Sequence, residues 1–431
     1  MILGEADHTA SGVTLDALFR RAGVRNAHAR ALIDPPNRAS FTDGAPRMLT
    51  YAQADRAISA LAATLRGLGL HTDTVVGLQL PNTVESAVAF LGVLRAGMIA
   101  APLPLLWRQQ DMVEALGRAG AKAIVTAGRI GACAHAEVAM EAAAELFPIR
   151  QICAFGDNLP DGVVPLDGIF ASAAGEAPPL RIGDAAAHVA AMTFDVGPHG
   201  AVAVAHDHAQ LVAAGDSLVR ACGLGIDAPI LSTIPLGSFA GLAVTLLPWL
   251  IAGGALHLHH GFDAPTFATQ RAVLEGGAVV LPGPALAALG GRVGPSNTTV
   301  ALWRAPLALA AEMAVANVVD VVCRREAALV AVARTADGLP DPAVIDAAAM
   351  SEAPGFIAVG GYKFSLAALD AATAAIDPAA MITALPDAVL GQRLAGHSVD
   401  APRVREALVA HGFNPLVAAA FRARSHPLPS P

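Results

Sequence analysis

The stretch LTYAQADRAISALAATLRGLGLHTDTVVGLQLPNTVESAVAFLGVLRAGMIAAPL, residues 49–103, alternates helical and strand-like patterns. Ala54, Ile58, Leu61 and Leu65 recur at the spacing of one helix face, and a Gly-Leu-Gly sequence ends that pattern. The apolar run VVGLQL is typical of a buried strand; the helical SAVAFLGVLRAG and the strand-like IAAPL come after it. The stretch therefore predicts two helix–strand units in succession.

The same order continues along the chain. Residues 109–128 predict a third helix and the strand AIVTA, and AAHVAAMTF predicts a strand before a loop at 193–202. Because alternating helices and strands build a parallel sheet covered by helices, the fold class is predicted to be α/β. Residues 335–355 are polar and turn-rich, which indicates a linker. We therefore predict an N-terminal domain over 1–345 and a small C-terminal domain over 356–431.

Composition narrows the classes of function. The chain has 431 residues and a formal net charge of −8, and 54% of its residues are apolar. A negative chain without a basic cluster does not suit a nucleic-acid surface. The most apolar segment, 241–258, contains Pro248, a glycine pair and His257, which favours a buried helix and strand over a transmembrane segment. The N-terminus lacks a signal-peptide pattern, so the predicted location is cytoplasmic.

Residues that could hold a metal give weak signals. The four cysteines are far apart and form no CxxC, which suggests neither a zinc site nor a disulfide framework. His257, His259 and His260 lie close together, but no acidic or cysteine ligand stands beside them. They are interpreted as a strand end near the surface.

Beyond the 49–103 stretch, the chain contains in this order VAHDHAQL, PLGSFAGL, GGYKFSLAALD and ALPDAVLGQRLAG. Together these segments resemble the adenylate-forming superfamily of acyl-CoA synthetases, acyl-carrier-protein ligases and peptide-synthetase adenylation domains. The resemblance implies a two-lobed, large N-terminal α/β region and a small C-terminal α+β domain. It also implies activation of a carboxylic acid with ATP and Mg²⁺, through acyl-AMP, onto coenzyme A or a carrier-protein pantetheine.

TFDVGPHGAV, residues 193–202, is similar to the family's phosphate loop, approximately T-S-G-T-T-G-x-P-K-G. Thr193, Gly197 and Gly200 keep its outline, and His199 falls at or near the lysine that would neutralise phosphate charge. Bulky and acidic residues, among them Asp195, stand where small hydroxylated ones belong. The stretch is either a functional ATP loop or a vestigial turn.

The segment VVDVVCRREAAL resembles the family's adenine-and-magnesium segment, which implies that Glu326 could reach Mg²⁺. The alternative is a carboxylate paired with Arg324 or Arg325. No counterpart of the ribose-binding aspartate is found, and the sequence ends where the family's Gly-Lys segment would follow. The chain has only two lysines, Lys122 and Lys363, and neither matches a family lysine.

Two further segments are closer to the family. Ser238, Phe239 and Gly241 lie where the resemblance places the acyl or aryl pocket, although such apolar residues could equally be core. Gly360 and Gly361 match the loop that lines the family's pantetheine tunnel, the alternative being an ordinary glycine turn.

Two hypotheses follow from this inventory. The favoured one is a degenerate family member, impaired in adenylation, that binds an acyl or aryl acid, a carrier protein or an active homologue and needs no cofactor. The alternative is an active acyl-CoA or acyl-carrier-protein ligase that uses ATP and Mg²⁺. Losing several preorganised phosphate contacts, each worth ~10²–10³ in rate, favours the first.

Overall fold

The computed structural model describes residues 12–172, 185–289, 297–304, 314–350, 355–387 and 390–421. The strands are β1 (Arg30–Ile33), β2 (Met48–Thr50), β3 (Val75–Gln79), β4 (Ile99–Pro102), β5 (Ala123–Ala127), β6 (Gln151–Phe155), β7 (Val164–Pro165), β8 (Val189–Gly197), β9 (Gly200–Asp207), β10 (Ile230–Ser232), β11 (Leu256–Leu258), β12 (Ala278–Pro282), β13 (Thr298–Trp303), β14 (Val318–Arg324), β15 (Ala328–Ala333), β16 (Phe356–Val359), β17 (Tyr362–Ser365), β18 (Met381–Asp387) and β19 (Gly391–His397).

Helices alternate with most of these strands, as the sequence predicts. They are α1 (Leu15–Arg25), α2 (Tyr51–Gly67), α3 (Val84–Arg95), α4 (Gln109–Ala119), α5 (His135–Glu145), α6 (His208–Cys222), α7 (Phe239–Gly241), α8 (Leu247–Ala252), α9 (Ala264–Ala272), α10 (Gly283–Ala288), α11 (Pro342–Ala349), α12 (Leu366–Ile376), α13 (Ala401–Ala410) and α14 (Pro415–Ala420), with a π-helical turn, Leu242–Leu246, between α7 and α8. No helix in these described ranges is long and apolar enough to cross a membrane.

Two mixed sheets form the large α/β region. One has the strand order β15-β14-β13-β12-β10-β11-β1-β2, and the other has the order β7-β6-β5-β3-β4-β8-β9. Alternate residues of a strand point to opposite faces, so Val76 faces the apolar core that both sheets share, while Val75 faces the layer of α4 and α5. Helices α2, α3 and α8 fill the shared core, with Trp249 fully buried in it. The predicted α/β class is therefore observed.

Helix α2 illustrates how local sequence sets an element. Thr50 accepts the N–H of Gln53, and the Gln53 side chain accepts the N–H of Thr50, which closes a capping box. Ala54, Ile58 and Leu61, which lie on the predicted apolar face, are fully buried. The stripe therefore fixes which side of α2 faces the core.

The chain after residue 335 contains a helix where the sequence predicts a linker. The proposed linker contains α11, whose Val344 is fully buried against the sheet that ends in β14 and β15. Asp341 caps this helix by accepting the N–H of Ala343. Beyond it, β16 to β19 form two hairpins that pack with α12, α13 and α14 around a separate apolar cluster, in which Leu408 and Phe421 are fully buried.

Candidate functional site

Four segments that the sequence analysis singled out meet at one place. They are the 193–200 stretch, the residues that follow β10, the turn between β14 and β15, and the glycine loop between β16 and β17. The turn follows the carboxyl end of β14, and Arg304 follows that of the parallel strand β13. The carboxyl edge of parallel strands is where α/β sheets bind ligands, so this is the candidate site.

The predicted phosphate loop is folded as a tight hairpin. Strand β8 continues to Gly197 and β9 begins at Gly200, with these two glycines paired across the ladder. Only Pro198 and His199 are left for the turn, and both are exposed. The prediction of a loop over 193–202 is therefore wrong, because strand pairing continues through most of it. Thr193 lies inside β8 and is fully buried.

Helix α4 holds the hairpin turn from outside. Glu114 Oε1 accepts the N–H of Ala201 at 3.0 Å, and Arg118 Nη2 donates to the His199 carbonyl at 2.5 Å. Gly200 has φ +94°, and a Cβ atom on it would lie 1.5 Å from Glu114 Oε1. Glycine is therefore required at 200 both by backbone conformation and by the approach of the carboxylate.

A hydrogen-bonded chain crosses the floor of the site. Thr193 Oγ1 and His206 Nε2 are 2.9 Å apart, and the Thr193 hydroxyl also bonds the Glu326 carboxylate. Glu326 Oε2 accepts the N–H of Phe239 at 2.6 Å, and the Phe239 ring stacks on His206 with centroids 4.8 Å apart. Burial lowers the pKa of His206 to about 4, so this ring is neutral at pH 7.

Glu326 is held in a strained turn. Arg325 has φ +49° and Glu326 has φ +53°, a conformation that non-glycine residues rarely adopt. Desolvation raises the pKa of the Glu326 carboxyl above its usual value, although the Arg304 charge and the Phe239 N–H act in the opposite direction. The carboxylate suggested for Mg²⁺ is thus already satisfied by protein donors. Among the described residues, no group of three His, Cys, Asp or Glu side chains could hold a metal ion.

Two cations reach the site, and they are held differently. Lys363 Nζ, from β17, lies 2.9 Å from Asp195 Oδ1 on β8, so the hairpin and the glycine loop are joined by an ion pair. Arg304 Nη1 donates to the Gly361 carbonyl at 2.9 Å, and its Nη2 donates to Ser238 Oγ. Lys122, the other lysine of the chain, is exposed and immediately precedes β5.

The residues predicted for the acid pocket and the pantetheine loop lie beside Arg304. Ser238 caps α7 by accepting the N–H of Gly241, and Phe239 is buried. A Cβ on Gly241 would lie 2.0 Å from the Pro235 carbonyl, so close backbone approach requires that glycine. Gly360 and Gly361 both have positive φ, at +54° and +92°. The structure thus brings the predicted acid-pocket residues and the glycine loop together at Arg304.

The histidine cluster lies elsewhere and was misplaced by the sequence analysis. His259 is fully buried and His257 is buried, not at the surface. His259 Nδ1 lies 2.7 Å from Gln270 Oε1, while His260 Nδ1 accepts the N–H of Asn82 and packs on Phe41. Burial lowers the pKa of His260 to about 4, so these side chains are neutral groups within the packed interior.

Sequence reasoning missed Arg304 and Glu114 as parts of the site. Neither belongs to one of the motifs singled out, and Glu114 lies far from the hairpin in the sequence. Asp195, His206 and Lys363 stand inside quoted segments, but nothing in those segments relates them to one another or to Glu326. These residues meet through tertiary packing, which local patterns do not report.

Comparison with known proteins supports the resemblance. The family model described as AMP-binding enzyme matches residues 19–280, more than half of the chain. The human long-chain fatty acid transport protein 1 is 32% identical over 158 residues, 37% of this chain and 22% of that protein. The 2-hydroxy-7-methoxy-5-methyl-1-naphthoate–CoA ligase of Streptomyces carzinostaticus is 28% identical over 264 residues, 59% of this chain and 45% of that protein. The chain thus spans less than half the length of both relatives.

A solved structure agrees at the level of the fold. The amide bond synthetase McbA from Marinactinospora thermotolerans superposes with a TM-score of 0.67 at 18% identity, covering 93% of this chain and 94% of that one. Together with the family match and the packing of the two sheets, this agreement means that the chain belongs to the AMP-binding enzyme family and has the fold of the adenylate-forming ligases.

Proposed function

We propose that this protein is a family member impaired in adenylation that binds a carboxylic acid or acyl group. The observation that carries the proposal is the closed hairpin at Pro198 and His199. A phosphate cradle needs backbone N–H groups that are free to point at the ligand. Here the strands pair up to Gly197 and Gly200. The N–H of Ala201, which a bound phosphate would need, is already donated to the Glu114 carboxylate.

The charges at the site support the same conclusion. Adenylation brings a carboxylate toward a polyphosphate, so it depends on Lys, Arg and Mg²⁺ for neutralisation. Lys363 is paired with Asp195, whose carboxylate would face the phosphates, and Glu326 is engaged by Phe239 and Thr193. The residues present therefore do not fit Mg-ATP in this arrangement.

The proposal keeps the partners that the family suggests. A carboxylic acid or acyl chain is the ligand class, and coenzyme A, an acyl carrier protein or an active homologue are the candidate macromolecular or thiol partners. Phe239, next to Ser238, is apolar and stacks on His206 within the site, and apolar side chains of this kind line acyl and aryl pockets. A cytoplasmic location is part of the proposal.

One observation favours the alternative of an active ligase. Lys363, on β17 just after the glycine loop, contacts Asp195 in the hairpin. The 193–202 stretch contains no lysine of its own, and this contact places one beside it. If Asp195 released it, Lys363 could meet a phosphate. Lys122 is exposed and lies outside the site, which makes it a matched control for charge removal.

The test is a calorimetric titration of the protein with Mg-ATP and then with a non-hydrolysable acyl-adenylate analogue, beside an assay of acid-dependent pyrophosphate release. We expect no saturable ATP heat and no pyrophosphate above a boiled-protein blank. ATP binding that is abolished in Lys363→Met and retained in Lys122→Met would establish the active ligase instead. An active ligase of the family, prepared in the same way, serves as the positive control.

A further inference from the structure

Arg304 directly follows β13, whose last residue is held by a buried hydrogen bond. That residue is Trp303, whose indole Nε1 donates to Asp320 Oδ1 at 2.8 Å. Asp320 is fully buried and is held in turn by Arg334 at 2.9 Å. The Trp303 ring packs with the cluster outside the sheet, and the next side chain lies on the opposite side, where Ser238 is found.

The Arg304 guanidinium donates its hydrogen bonds to neutral groups. It donates to the Gly361 carbonyl and to the Ser238 hydroxyl. Within the described ranges, no carboxylate lies within ion-pair distance of the guanidinium. Glu326 is the nearby acid, and the Arg304 charge acts to lower the pKa of its carboxyl. A half-buried guanidinium without an anionic partner is costly, and a carboxylate would satisfy it better than neutral acceptors do. Lys363 differs, because Asp195 already pairs with it.

The neighbours of Arg304 indicate where a carboxylate would be useful. Ser238 begins the apolar segment in which Phe239 and the following turn are buried, and Gly361 belongs to the glycine loop. A guanidinium presents paired N–H donors that match the two oxygens of a carboxylate. An acid whose head group met Arg304 would have apolar side chains next to it on the Ser238 side.

From these contacts we infer that Arg304 recognises the carboxylate of the bound acid and makes the site select free acids over the matching alcohols. The inference rests on the proposed acid-binding function and adds the residue that sets its specificity. Ser238 orients the guanidinium, and Glu326 opposes the ligand by its like charge. Replacing Glu326 is therefore expected to change acid affinity in the opposite direction from replacing Arg304.

The experiment compares dodecanoate with dodecanol, and 2-naphthoate with 2-naphthylmethanol, in calorimetric titrations of the full chain. In the unaltered protein the acids should bind more tightly than the alcohols. Arg304→Gln should weaken the acids by roughly 10- to 100-fold and leave the alcohols unchanged, as expected for a lost charged hydrogen bond. Arg304→Lys should keep part of the preference. The exposed Arg56, replaced by Gln, is the control and should behave like the unaltered protein.

A second variant keeps the test valid should Arg304→Gln fail to fold. Glu326→Gln leaves Arg304 in place and removes the opposing charge, so it should tighten acid binding several-fold without affecting the alcohols. Acid preference that persists in Arg304→Gln, or equal affinity for acids and alcohols in the unaltered protein, overturns the inference while acid binding itself stands. Absence of binding by every acid and alcohol overturns the proposed acid-binding function as well.

Discussion

Replacing Gly200 by alanine is expected to destabilise the hairpin that closes the candidate phosphate site. The residue has φ +94°, and a side chain in this conformation costs about 1–2 kcal/mol. The new Cβ would also lie 1.5 Å from Glu114 Oε1, so the carboxylate must leave the N–H of Ala201. Losing that hydrogen bond costs about 1 kcal/mol. The free energy of unfolding should therefore fall by about 2–3 kcal/mol, the sum of the two terms.

Gly223 provides a matched control for the backbone term. It has φ +62° at the end of α6, and a Cβ there would meet no atom within 4 Å. Gly223→Ala should thus cost only the backbone term, about 1–2 kcal/mol. In a Glu114→Ala background the obstructing carboxylate is gone, so Gly200→Ala should become cheaper by about 1 kcal/mol while Gly223→Ala stays the same.

Urea unfolding followed by tryptophan fluorescence is a suitable assay, because the Trp107 ring packs 5.7 Å from the ring of Phe194 on β8. Hydrogen exchange of the amides in β8 and β9 locates the loss of stability. Equal costs for the two glycine substitutions in both backgrounds would refute the closed, Glu114-clamped hairpin. The phosphate loop would then be open, and the case for impaired adenylation would lose its main support.

Three further predictions concern folding stability and thiol reactivity. Burial lowers the pKa of His206 to about 4, so the neutral ring contributes its full stability above the ordinary pKa of 6.5 and loses that contribution as the pH falls toward 4. His206→Phe should therefore make the fall in unfolding free energy over this range shallower, by up to ~1.4 kcal/mol per pH unit. Unchanged slopes in urea titrations would contradict this. Arg95→Met removes the buried guanidinium that lies 2.7 Å from buried Asp16 and leaves that carboxylate only the partly exposed Arg20, so unfolding experiments should show a loss of about 3 kcal/mol that Asp16→Asn in the same chain partly reverses. Burial raises the thiol pKa of Cys153 to about 12, so this fully buried thiol should resist a disulfide reagent until urea unfolds the chain, and its rapid labelling in the native protein would contradict its burial.

Much of the fold was accessible from the sequence because its signals are local. The stripe of Ala54, Ile58 and Leu61 predicted one buried face of α2, and the runs at β3 and β4 predicted buried parallel strands, all of which are observed. The linker prediction failed over α11 because an Asp-Pro start and small apolar residues read as a turn, although Val344 is buried against the sheet. The domain bounds at 345 and 356 stay a prediction.

The site was predictable only in its segments. The sequence brought Thr193, Ser238, Glu326 and Gly361 to attention through motifs, and the structure places them near one another. Their roles as ligand-binding groups stay predictions. The histidines were misjudged because alternation along β11 cannot tell whether a second layer covers the strand, and His259 is in fact fully buried.

The sequence by itself determined the secondary-structure order and the α/β class, because helix and strand periodicity and capping depend on neighbours within a few residues. The family resemblance came from short motifs, which are local in the same way. The tertiary structure alone decided whether the 193–202 stretch is open. Helix α4 brings Glu114 and Arg118 to the turn, and β17 brings Lys363 to Asp195, from distant parts of the chain. It also placed Arg304 beside Ser238. Charges that no local pattern relates can pair only after the sheets have packed, so the ion pairs and hydrogen bonds of the candidate site could not be predicted from the sequence.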